Sequence, residues 1–208
     1  MNIPRSQLLI VAGALAAAVV AFLVSQGSAP DRGDPGIQAM VLPQPRALPA
    51  FALLDQHGAP IDERALTGNW HLLFFGFTHC PDICPMTLQT LATLRNRLAS
   101  MAAPVPGVVF VSIDPARDQP GLLAEYLAYF DPQILGITGD EETIAGFARQ
   151  MGVAVFLGEA DEHGDYTVDH STTVFLVDPQ GRLAALFRVP HEPEAMTRDY
   201  LRITGGRG

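Results

Sequence analysis

The sequence predicts an α/β fold, a mixed sheet flanked by helices, with an N-terminal transmembrane helix ahead of it. Three observations predict this. Short, continuous apolar runs alternate with stripes of helical period across the middle of the chain. Two further apolar runs near the C-terminus flank a turn sequence, as in a β-hairpin. No charged residue occurs from Ser6 to Pro30.

The N-terminal run comes first. Residues 8–24 are apolar throughout, and about 20 residues at 1.5 Å each span a hydrocarbon core of about 30 Å. Residues 1–25 are therefore expected to be an uncleaved membrane anchor. A cleaved signal peptide competes, because Gly27-Ser28-Ala29 offers small residues, but Pro30 would follow the cut. Arg5 before the run, against Asp31, Arg32 and Asp34 after it, favours a cytoplasmic N-terminus. The remainder would then lie on the exported, periplasmic side of the inner membrane, where disulfides can form. Residues 26–49 are rich in Pro and Gly and read as a tether. Residues 50–208 are long enough for one core.

Within that domain, residues 71–77 (HLLFFGF) form a continuous apolar run, as expected of a buried central strand. A helix follows over residues 86–101, with Leu91, Leu94, Leu98 and Met101 at helical spacing; Met86 starts this stripe and is expected in the core. Residues 108–113 (VVFVSI) predict a second strand, 122–130 a helix and 134–138 a short strand. Residues 140–151 carry acids in their first turn and Gly152 at their end, which punctuates a helix. Residues 173–177 and 183–187 flank Asp178-Pro179-Gln180-Gly181, a hairpin turn, and a last helix spans 192–203.

Composition narrows the function. The chain is 48% hydrophobic and 17% charged, too apolar for disorder. All 13 basic residues are arginine, and against 22 acids they leave a formal charge of −9, which excludes a nucleic-acid binder. Two cysteines exclude a disulfide scaffold and a four-cysteine zinc site, but leave a redox pair or a mixed-ligand metal site open.

Both cysteines fall in Thr78-His79-Cys80-Pro81-Asp82-Ile83-Cys84-Pro85, directly after the first buried strand. Ligands bind beyond the carboxyl ends of strands in open α/β sheets. Pro85 suits the first helical position, which would place Cys84 at a cap-like position where free N–H groups favour a thiolate. Two thiolates with three residues between them can bridge or clamp one soft ion, and such ions also accept imidazole. His170, in Asp169-His170-Ser171 before a strand, is the strongest of the six histidines as a third ligand. His79 adjoins Cys80 without a geometric case, while His57 and His71 read as structural. Asp114 and Asp118 close the second strand at the same sheet edge. They serve either as caps with Arg117 paired to an acid, or as a polar rim orienting a partner or the site histidine.

The stretches FFGFTHCPDICP (74–85), VSIDPARDQP (111–120) and DYTVDHSTTVFLVDPQG (165–181) resemble the Sco/SenC family of thioredoxin-fold, copper-handling proteins of the respiratory chain. The resemblance covers roughly residues 50–203, and the anchor and tether also fit it. It implies a thioredoxin-like sheet and one copper, Cu(I) or Cu(II), held by Cys80, Cys84 and His170. It further implies a metallochaperone, taking copper from a donor protein and delivering it to the dinuclear copper centre of a cytochrome c oxidase subunit. The alternative is a thiol–disulfide oxidoreductase, with Cys80 and Cys84 as its redox pair, reducing the cysteines of such a partner. Gln119 stands where the family's aspartate segment is expected to carry Thr, and the chain has no Lys; neither departure touches a ligand. Asp82 is a further rim residue of unassigned role.

Overall fold

The structure is a computed structural model; residues 37–159, 162 and 166–205 are described. The expected anchor over residues 1–25 lies outside them. Among the described residues, no helix is long and apolar enough to cross a membrane.

Among the described residues, ten strands and four helices build a thioredoxin-like α/β domain. In chain order they are β1 (Met40–Ala47), β2 (Ala52–Asp55), β3 (Pro60–Asp62), β4 (His71–Gly76), α1 (Ile83–Ser100), β5 (Gly107–Ser112), α2 (Pro120–Ala128) and β6 (Leu135–Thr138). Then follow α3 (Glu141–Met151), β7 (Val155–Leu157), β8 (Val168–His170), β9 (Val174–Val177), β10 (Arg182–Phe187) and α4 (Pro193–Thr204). Eight strands form one mixed sheet in the order β1-β10-β9-β4-β5-β6-β2-β3, while β7 and β8 pair only with each other. β4, β5 and β6 run parallel; β4 pairs antiparallel with β9, which returns through β10 to β1.

The apolar runs sit where two-sided burial requires them. Five of six β4 residues and five of six β5 residues are buried. Phe74 and Phe110 lie opposite each other in register on the face covered by α1 and α2. Phe75 turns the other way, against Phe147 of α3 and Phe175 of β9. α3 ends as its sequence requires: Asp140 accepts the Thr143 N–H at 2.8 Å, and Gly152 takes φ 78°. Only glycine adopts that conformation without strain.

Three sequence expectations need correction. The stretch read as a tether over residues 26–49 contains β1, so the sheet begins well before residue 50. Its missing periodicity has a physical cause: β1 is an exposed edge strand, where Pro43 and Pro45 are tolerated and the pairing register shifts between Val41 and Arg46. The buried Asp199 of α4 fixes its start by accepting the Gln38 and Ala39 N–H groups at 2.8 and 2.9 Å. Second, α1 begins at Ile83 rather than Pro85, with Cys84 inside its first turn. Pro85 fits there because first-turn N–H groups lack intrahelical acceptors in any case. Third, Met86 is 59% exposed. The buried face of α1 runs through Cys84, Leu88, Leu91, Leu94 and Leu98, and Met86 falls out of that phase.

Candidate metal centre

β4 delivers the chain to the carboxyl end of the sheet, and the loop after it carries the cysteines. Gly76 is needed at that exit: a Cβ there would lie 2.7 Å from the Phe110 ring and 2.9 Å from the Cys84 sulfur. Cys84 can therefore pack flush against the strand only because residue 76 has no side chain. Cys84 is fully buried, Cys80 is half-buried, and both are free thiols.

His170 arrives from the other side, at the end of β8. Its Nε2 lies 3.5 Å from the Cys84 sulfur. Its Nδ1 lies 2.9 Å from the Ser171 carbonyl oxygen, which can only accept, so Nδ1 carries the proton and Nε2 is left bare toward the sulfurs. The ligand atoms of Cys80, Cys84 and His170 all lie within 4.8 Å of one another, a cluster that could hold one metal ion. An open cavity of about 540 Å³ adjoins it, lined among others by Cys80, His170, His79, Asp82, Phe77 and Tyr166. A slightly larger opening, about 620 Å³, lies at the other end of the sheet around Arg95 and Asp131. It contains neither cysteine nor histidine, and we place the chemistry at the smaller one.

Burial sets the protonation of His170 and Cys84. It holds the His170 imidazole below its ordinary pKa, and so neutral near pH 7. It pushes the Cys84 thiol up, outweighing the Phe77 backbone N–H that is hydrogen-bonded to the sulfur. The helix N-terminus thus does not make Cys84 a thiolate by itself: desolvation at a fully buried sulfur outweighs the favourable dipole. An ion with affinity for thiolate would have to displace that proton on binding.

The loop after β5 braces both halves. Asp118, fully buried, accepts the Thr78 N–H at 3.1 Å and hydroxyl at 2.6 Å, and the Ser112 hydroxyl at 2.6 Å. It thereby fixes the start of the cysteine loop, and burial pushes its carboxyl up. Asp114 pairs with Arg117 at 2.5 Å and accepts the Tyr166 hydroxyl at 2.6 Å, four residues before His170. Of the two readings of the aspartates, the pairing of Arg117 with an acid is present; neither carboxylate stands at an exposed rim, since both are buried, one on Thr78 and the other on Tyr166.

The other histidines stay apart from the trio. His79 is half exposed beside Thr78 and Asp118, His71 bonds the Asn69 carbonyl, His191 contacts Thr87, and His57 sits in an exposed turn. His163 lies outside the described residues. Phe77, Thr78 and Tyr166 were not legible as site residues. Tyr166 meets Asp114 across 52 positions, a proximity that only the folded sheet creates.

These features agree with what is similar to the chain. It matches the sequence profile of the family described as SCO1/SenC over residues 41–205. A relative from Stutzerimonas stutzeri, provisionally named copper-binding, is 35% identical over 198 residues, covering 95% of this chain and 94% of the relative. The mitochondrial SCO2 homolog of Mus musculus is 42% identical over 132 residues, 63% of this chain but only 52% of that protein. Among solved structures, Arabidopsis thaliana ScoI with copper bound superposes with a TM-score of 0.72 at 33% identity, covering 76% of this chain and 98% of that one. Yeast Sco1 with copper bound gives 0.71 at 30% identity, covering 79% and 91%. With the profile spanning most of the sheet, both cysteines and the histidine, the chain belongs to the SCO1/SenC family.

Proposed function

We propose that this chain is a membrane-anchored copper metallochaperone, which carries one copper ion on Cys80, Cys84 and His170. It would pass the ion to the dinuclear copper centre of a cytochrome c oxidase subunit. The observation that carries the reading is the convergence of two free thiols and one neutral imidazole within 4.8 Å at the mouth of an open cavity. That donor set is soft and suits Cu(I), and it leaves room for an incoming ligand to share the ion during transfer. The relatives solved with copper bound support the choice of metal. The uncharged run over residues 6–30 supports an inner-membrane anchor, with the domain on the periplasmic side. A separate donor protein would load the site.

A second reading is favoured by the pairing of a half-buried Cys80 with a buried Cys84, both free. Cys80 could attack a disulfide in the partner's copper site, and Cys84 would resolve the mixed disulfide. The partner gains two electrons as two thiols, and this chain is left with a Cys80–Cys84 disulfide.

The deciding experiment titrates the reduced, detergent-solubilised full chain with Cu(I) against a competing chelator, for the parent, Cys84→Ser and His170→Ala. One tightly held copper per chain, lost in the first variant and weakened in the second, is the expected result. A parent without tight copper, or a His170→Ala variant equal to it, overturns the chaperone reading. Disulfide exchange that survives in His170→Ala would then favour the reductase.

A further inference from the structure

His170 stands at the end of β8, in a two-stranded ribbon apart from the main sheet. β7 and β8 pair with each other and with no strand of the main sheet, and an isolated two-stranded ribbon is marginal in water. Arg117 holds this ribbon to the sheet. Its guanidinium lies 3.8 Å from the centroid of the Tyr166 ring and 5.8 Å from that of Phe77. One nitrogen donates to the Tyr166 carbonyl at 3.2 Å, and Asp114 takes another at 2.5 Å. The Tyr166 hydroxyl closes the ring of contacts on the same aspartate. On the far side, the Phe77 ring meets the His170 imidazole edge-on, with centroids 6.0 Å apart at 81°. Tyr166, guanidinium, Phe77 and imidazole thus form one continuous chain of contacts from the ribbon to the metal ligand.

We propose that Arg117 is a positioning residue for His170, locking the ribbon and the imidazole in the orientation that faces Cys84. It acts by two routes. Through Tyr166 it fixes the backbone that leads into β8. Through Phe77 it fixes the surface against which the imidazole rests. A planar guanidinium is required, since a compact ammonium cannot fill a slot between two rings while also bonding a carboxylate and a carbonyl. The proposal rests on the copper reading only for the identity of the ion.

The test compares the parent with Arg117→Ala, Arg117→Lys and Tyr166→Phe in the reduced full chain. Two signals are read: Cu(I) affinity by chelator competition, and the ¹⁵N imidazole resonances of His170 without metal. Arg117→Ala is expected to weaken copper by about 10–100-fold, as loss of groups that orient a ligand does, and to broaden the His170 resonances. Arg117→Lys should behave like Arg117→Ala, and Tyr166→Phe, which keeps the ring and loses the Asp114 bond, should fall between them and the parent. Should Arg117→Ala fail to fold, Tyr166→Phe carries the comparison. Affinity within two-fold of the parent with unchanged His170 resonances, or full recovery by Arg117→Lys, overturns the proposal. A parent that binds no copper defeats the delivery reading instead, and the metal-free resonances then decide this one.

Discussion

The two halves of the metal centre are mounted differently. The cysteine half rides on the loop between β4 and α1, with Cys84 in the first turn of the helix against the core; Phe74, Phe75, Phe110 and Cys84 are all fully buried there. The histidine half rides on a two-stranded ribbon at the rim, where Phe156 and Leu157 of β7 are mostly exposed. The cysteine half is thus fixed by the core itself, while the histidine half is fixed by a few side-chain contacts. Under the proposed delivery role, the contrast would suit a site that holds an ion and then releases it: the sulfurs would define where the ion sits, and the imidazole would be the ligand to yield.

Removing a ligand from each half breaks the comparison most strongly. Cys84→Ser is expected to lower Cu(I) affinity by at least ~100-fold, because the buried soft donor has no substitute. His170→Ala should cost less than Cys84→Ser but at least as much as Arg117→Ala, and leave both thiols titratable by a disulfide reagent after unfolding. Chelator competition ranks the two, and a reversed order would contradict the division into a fixed and a yielding half.

Gly76→Ala comes next. It forces a methyl against the Phe110 ring and the Cys84 sulfur, so it should destabilise the domain by about 1–3 kcal/mol as overpacking does. It should weaken copper as well, measurable by urea unfolding and the same competition. Unchanged stability would show that the cysteine half is softer than its packing implies.

A smaller effect separates the core from the rim by pH. Burial lowers the pKa of His71 and His191. The folded chain therefore binds fewer protons than the unfolded one as pH falls through the ordinary histidine range, and stability declines on acidification toward those lowered values. Melting temperatures at about pH 7.5 and about pH 5 should show this decline, with a shallower slope in His191→Gln, whose amide can still bond Thr87 and the Phe187 carbonyl. An equal slope in both proteins would remove His191 from the account.

The smallest effect belongs to Asp140, which caps α3 and belongs neither to the trio nor to the lining of its cavity. The Thr143 N–H and hydroxyl beside its carboxyl hold it below its usual pKa. Asp140→Ala should lower the melting temperature by a few degrees near neutrality. The deficit should shrink as the pH falls through the lowered carboxylate range, and copper affinity should not move. A fall in affinity would mean that α3 is coupled to the site.

Sequence patterns disclosed the two halves unequally as well. β4, β5 and α3 were legible because burial on both faces, or capping at both ends, writes itself into consecutive residues. Cys80 and Cys84 were legible because one loop holds them. β1 was not, since an edge strand with Pro43 and Pro45 has neither alternation nor an apolar run. Met86 was misplaced by the phase of one helical stripe, and Cys84 by two helix positions, because Pro85 is tolerated anywhere in the first turn. Asp114, Arg117 and Asp118 stood out as a polar cluster, but their partners Thr78 and Tyr166 lie 40 and 52 positions away from Asp118 and Asp114. No local pattern encodes such a meeting.

The unequal burial of the two sulfurs gives traffic at this site an order. Cys84 has no exposed surface, and Cys80 lines the cavity. A visiting thiol, thioether or alkylating reagent encounters Cys80 first and gains Cys84 only after the loop has moved. Under the proposed delivery role, the handover would begin at Cys80, and the hidden sulfur of Cys84 would be the last to let the ion go. A reagent too bulky for the cavity should mark one cysteine per chain and spare the other.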